Sequence, residues 1–185
     1  MARGESAQAG MPLAGPAVVL SGSCSVMTDS QVAAYRQQAP ARAVDLSACF
    51  TDLESYVRTL TDWVDAPARC AAGADDLCHH RAANAAADPG AVWRQGQQRT
   101  GGTAVCRSCR RPEGERIYPL IVAGGETSSI VAQTLGVEAF HIRPTISPGV
   151  PWVRDTRQPL SLALKSGNFG DIQFFARAQQ EFRHD

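Results

Sequence analysis

The sequence predicts an α/β fold: a layered sheet with flanking helices, interrupted by an irregular segment at about 66–116. Three observations predict it. Short apolar runs alternate with amphipathic helical stretches through the first 64 residues, in the order β-α-β-α. The alternation resumes after residue 117. Three turns of glycine and small hydroxylic residues follow strands, and open α/β sheets gather such turns at the carboxyl ends of their strands.

The elements follow in order. Residues 1–16 read as a flexible lead-in. "AVVLSGSCS" (17–25) is a short β-rich run that ends in Gly22 and small residues. "TDSQVAAYRQQA" reads as a helix with Thr28 as N-cap and Gln31 three places on, as in a capping box. "ARAVDL" is a second strand. "TDLESYVRTLTDWV" is a second helix, with Thr51 as cap and Leu53, Tyr56, Val57, Leu60 and Val64 on one stripe. Beyond 117, "IYPLIVAGG" is a strand and "ETSSIVAQTLGV" a helix closed by Gly136. "EAFHIRPTI" and "LSLALKSGNFG" are strands, the latter running into a glycine loop. "DIQFFARAQQEF" is a final helix with Asp171 near its start.

Between 66 and 116 the only large apolar residues are Leu77, Val92, Trp93 and Val105. Such a stretch buries too little surface to offset its ordering entropy. The chain's bias toward arginine indicates GC-rich coding DNA. Read one nucleotide later, "DDLCHH" (75–80) yields a β-rich strand, which the architecture lacks at this point. We therefore read 66–116 as translated out of frame or as a disordered insertion, alternatives that resequencing the coding DNA separates.

Composition narrows the function classes. A chain of 185 residues suits one domain or a piece of a larger protein. The formal net charge is zero and no basic stripe stands out, which argues against a dedicated nucleic-acid binder. No run reaches the roughly 18 apolar residues of a membrane helix, and the first residues have no secretory apolar core. Cys24, Cys49, Cys70, Cys78, Cys106 and Cys109 are too few for a disulfide scaffold in this length, so we expect free thiols in a cytoplasmic protein.

Three stretches carry chemistry. After the strand before it, Gly124-Gly125 leaves the backbone free for close ligand approach. The helix that follows has unpartnered N–H groups and the positive end of its dipole, which suits phosphate. Thr127, Ser128 and Ser129 offer hydroxyls there. Glu126 repels phosphate unless a cation lies between them, or unless it faces a ribose or caps the helix. The second stretch, Lys165-Ser166-Gly167-Asn168-Phe169-Gly170, combines two glycines, a hydroxyl and the sole lysine. Its composition fits a loop that wraps a nucleotide. It is not a Walker A motif, whose Gly-Lys-Ser order is absent. The third is "SGSCS" (21–25). "PGVPW" (148–152) reads as a stiff connection, with Trp152 packed on the core. Cys106-Arg-Ser-Cys109 has zinc-ribbon spacing, with Cys70, Cys78, His79 and His80 as partners, but only one clean pair exists. No metal ligand is assigned.

"VVLSGSCSVMT", "LIVAGGETSSIV", "ISPGVPW" and "LALKSGNFGD", in this order, resemble the C-terminal nucleotide-binding domain of the four-carbon acid sugar kinases. "GGETS" and "PGVPW" look most like the 3-oxo-tetronate kinase branch. The resemblance covers about 17–65 and 117–182. It implies a nucleotide-binding domain over 17–182 and transfer of the ATP γ-phosphate, with Mg²⁺, to a four-carbon sugar acid. It points to Ser23, Gly124, Gly125, Glu126, Thr127 and Gly167 as ATP contacts; Lys165 and Ser166 are added from charge and position. The family's sugar-acid half, which opens with a "DDxTG"-type motif, has no counterpart here. We expect the chain to need a separate half for activity and assign it no catalytic base. A non-catalytic remnant of a disrupted kinase gene and a small zinc-binding module are the alternative expectations.

Overall fold

A computed structural model describes residues 17–66, 81–84, 95–109 and 118–180. The elements in chain order are β1 (Val18–Ser21), α1 (Val26–Tyr35), β2 (Ala41–Ala43), α2 (Leu46–Thr51), α3 (Leu53–Asp65), β3 (Arg81–Asn84), α4 (Gln95–Ser108), β4 (Leu120–Ala123), α5 (Gly125–Thr134), β5 (Phe140–Ser147), β6 (Val150–Asp155), β7 (Ser161–Lys165) and α6 (Phe174–Gln180).

The strands form one sheet in the order β2-β3-β1-β4-β7-β6-β5. The first five of these run parallel. β6 is antiparallel to both β7 and β5. Central parallel strands are covered on both faces, which is why β1 and β4 read as unbroken apolar runs.

Strand periodicity divides the core into two layers. Val18 and Leu20 of β1, Leu120 and Val122 of β4, and Leu162 of β7 pack with Leu60 and Val64 of α3, Val105 of α4 and Val131 of α5. The alternate residues Val19, Ile121 and Ala163 pack with Val32 and Tyr35 of α1 and Phe174, Phe175 and Ala178 of α6. Each large side chain so buried contributes about 1.5–3 kcal/mol.

The layered α/β reading holds, with several corrections. α1 starts at Val26, not after Thr28. Ser25 is its N-cap and accepts from the Thr28 amide, so Thr28 lies inside the first turn. Gln31 closes no capping box; its amide reaches another part of the chain. Asp52, not Thr51, caps α3 and accepts from Ser55 N, while Thr51 ends the short preceding helix. "PGVPW" is not a plain connection but the turn and start of a β-hairpin, whose second strand is β6. Trp152 is buried there, as expected.

The segment read as irregular contains β3 and α4. β3 lies between β1 and β2 and registers with both. A strand held by backbone bonds on two sides needs no bulky residues to be specified. α4 buries Ala104, Val105 and Cys106, and Cys109 is buried just past its end. Gly102 permits its approach to α5: a Cβ there would lie 3.2 Å from Ile130 Cγ2. A criterion built on large apolar residues misses packing made by small ones. The remaining stretches, with Cys70, Cys78, His79 and His80, lie outside the described residues.

Candidate functional site

β1 leads through α1 to the β2 edge of the sheet, and β4 leads through α5 to β5 at the opposite edge. The strand order therefore diverges between β1 and β4. In open α/β sheets the crevice at the carboxyl ends of such a pair is where ligands bind. The turns after β1, β4 and β7 lie on three adjacent parallel strands, so all three open at this rim.

The turns touch one another. Gly22 N donates to Ala123 O at 2.9 Å, and Gly124 N donates to Lys165 O at 2.8 Å. Gly124 has φ +122°, a conformation other residues rarely adopt. A Cβ there would lie 3.3 Å from Ser23 N and 3.0 Å from Thr127 Oγ1. Gly22, which the sequence reading did not select, is as constrained: a Cβ would meet Thr127 Oγ1 at 2.3 Å. Thr127 is thus buried between two glycine turns. The Cβ position of Gly125 lies 3.5 Å from Ser166 Oγ, which joins the second turn to the third.

α5 begins at this junction. Its N-cap is Gly124, and no side chain caps its first turn. Its leading amides keep their donor capacity, and the positive end of the dipole faces the crevice. Gly125, Glu126 and Ser166 are exposed, Ser23 and Gly167 half-buried. Ser129 Oγ bonds back to Gly125 O within the helix at 3.1 Å. Ser128 Oγ is buried and makes no hydrogen bond.

Lys165 is not the solvated lysine of an ordinary surface turn. It is fully buried. Period 2 puts it on the face of Ala163, toward α1, and its Nζ donates to Thr28 Oγ1 and Gly167 O, both at 2.8 Å. Burial pushes its pKa down to about 8. Ser25 Oγ lies 2.8 Å from Thr28 Oγ1 and 3.4 Å from Gly167 O. Gln31 Nε2 donates to Phe169 O at 3.1 Å and Asp171 O at 2.8 Å. Thr28 and Gln31 are the contact residues that sequence reasoning misassigned. Their hydroxyl and amide matched a helix-capping pattern, which concealed the long-range role.

Asp171 accepts from Gln173 N through one carboxylate oxygen and from Arg177 through the other. The Arg177 hydrogen bond, with these added contacts, holds its carboxyl below the ordinary range. It is engaged as a loop anchor. Of the proposed zinc residues, Cys106 and Cys109 are packed core thiols. Burial raises the pKa of both, that of Cys109 to about 12. No group of three or more metal-ligating side chains occurs among the described residues, and no described helix is long and apolar enough to cross a membrane.

A model of the family described as the nucleotide-binding C-terminal domain matches residues 18–175. A 3-oxo-tetronate kinase of Pectobacterium atrosepticum is 50% identical over 186 residues, which takes in 95% of this chain and 42% of that protein. One of Salmonella typhimurium is 46% identical over 97% of this chain and 43% of its own length. A crystal structure of a Haemophilus influenzae protein superposes with a TM-score of 0.78 at 37% identity, covering 93% of this chain and 42% of that one. The chain thus spans about two-fifths of the length of the relatives it matches.

Proposed function

The chain belongs to the family of nucleotide-binding C-terminal domains and is homologous to 3-oxo-tetronate kinases, and from this we propose that it is the ATP-binding part of a kinase that phosphorylates a four-carbon sugar acid. The observation that carries the reading is the meeting of the β1, β4 and β7 turns at one crevice, with an uncapped helix start between them.

In this reading the amides of Gly125, Glu126 and Thr127 face the phosphates, and Gly124 lets the backbone come close. Ser23 and Ser166 flank them with hydroxyls. Gly167 sits half-buried beside Ser166, and Lys165 supplies positive charge beneath it. Phosphoryl transfer rests mainly on positioning and charge neutralisation. Mg²⁺ fits the donor set: Glu126 is exposed at the start of α5, where a cation would neutralise its repulsion of phosphate oxygens. When bound, the ion would offset charge on the transferred group. Asp171, the carboxylate of the glycine loop, is committed to Arg177 and Gln173, and Glu126 is given to the cation in this reading, so neither is assigned as a catalytic base. We place the sugar-acid site in the part of the relatives that this chain does not span.

Calorimetric titration with Mg–ATP tests the reading. Binding is expected below millimolar concentration. Gly125→Val, exposed and with only an ordinary contact to Ser166, is expected to fold normally and bind at least about tenfold more weakly. Well-folded protein that ignores millimolar Mg–ATP overturns the assignment.

A further inference from the structure

We propose that Lys165, Thr28 and Gln31 form a latch between α1 and the 166–171 loop, with Lys165 a positioning residue that aims the loop's amides rather than a direct phosphate ligand. The inference rests on the nucleotide reading and states how that same site is held in shape.

Thr28 and Gln31 are three apart, hence on one face of α1. Both are fully buried. Gln31 bonds the carbonyls of Phe169 and Asp171, while Lys165, itself bonded to Thr28, takes that of Gly167. Every second carbonyl of the loop is therefore drawn inward. In a trans peptide the next N–H points the opposite way, and no cis bond occurs among the described residues. The amides of Asn168, Gly170 and Ile172 consequently turn away from α1. Gly167 at φ +59° and Gly170 at φ +79° permit this path. Amides aimed outward from a loop over a buried cation make an anion-binding concavity.

The charge supports the same geometry. The ionisable groups on the elements around Lys165 are Cys24 on the β1 turn, Asp29 and Tyr35 on α1, Glu126 on α5, Asp171 on the loop and Arg177 on α6. Among the described residues no carboxylate pairs with its ammonium, whose hydrogen bonds go to Thr28 Oγ1 and Gly167 O. A polyphosphate above the loop would supply the missing opposite charge. Binding then favours the protonated lysine, so affinity falls as pH rises through about 8.

The test uses the full chain with Thr28→Val, which removes the hydroxyl and keeps the shape, together with Lys165→Met and Thr28→Ser. Two quantities are read: Mg–ATP affinity across pH 6.5–9, and the rate of chymotryptic cleavage after Phe169, mapped by mass spectrometry. Thr28→Val and Lys165→Met are expected to bind about tenfold more weakly, the loss of a hydrogen bond to a charged group, and to be cut several-fold faster. Lys165→Met should lose the pH step, and Thr28→Ser should restore wild-type values. Wild-type affinity and cleavage in both variants would overturn the latch. Faster cleavage in the variants, with no ATP bound even by the wild-type chain, would retain the loop latch and overturn the nucleotide reading.

Discussion

At the scale of single residues, Lys165 sets a local conflict between stability and function. The folded chain gives up its proton near pH 8, whereas a free lysine holds it to about 10.5. Between these values the unfolded state carries more protons, so this residue's contribution to stability rises with pH across that window and is least favourable below it. At pH 7 the buried ammonium costs its full desolvation. Lys165→Met is therefore expected to raise the thermal midpoint at pH 7 by a few degrees, on the order of 1–2 kcal/mol after the two lost hydrogen bonds are deducted. The gain over wild type should shrink toward pH 10. A lowered midpoint at pH 7 would refute this. Gly22 and Gly124 are the opposite kind of residue: each is fixed by space around Thr127, which no side-chain chemistry could replace.

At the scale of elements, α4 is the informative helix. Its sequence is short of bulky apolar residues, yet it closes one layer of the core with alanine, valine and Cys106, and Cys109 joins them just past its end. Burial keeps both thiols protonated. A thiol reagent at pH 8 is expected to label exposed Cys24 in the native protein. It should leave Cys106 and Cys109 unlabelled until denaturant is added, as read by peptide mass mapping. Rapid native labelling of Cys106 or Cys109 would show that α4 is not packed as described. The thiol spacing that matches a zinc ribbon is here that of Cys106 in the last turn of α4 and Cys109 just past its end, both buried in the core. The ion pair between Arg107 and Glu54, 2.6 Å and partly exposed, adds little to the α3–α4 packing.

At the scale of the molecule, the sheet brings three distant turns to adjacent strand ends, and the relatives extend well beyond the region that matches. The matched region spans about two-fifths of those relatives, and the carboxylate of its glycine loop, Asp171, is committed to Gln173 and Arg177. We expect this chain alone to give no ATP-dependent phosphorylation of four-carbon sugar acids in a coupled assay. Activity should appear only when the complementary part of a relative is supplied. Robust turnover by the chain alone would show that the acceptor site lies within it.

The sequence by itself determined the alternation of strands and helices, the central apolar strands and the three small-residue turns, because periodicity and glycine chemistry are local properties. It also carried the family resemblance. The gathering of the turns at one rim follows from strand-end chemistry, but tertiary structure alone decided which strands adjoin, that β3 enters the sheet with few large side chains, and that Thr28 and Gln31 serve the glycine loop rather than a helix cap. Those outcomes depend on strand order and on contacts across more than 130 residues of chain. No local pattern records which backbone carbonyl a buried hydroxyl, amide or ammonium will meet.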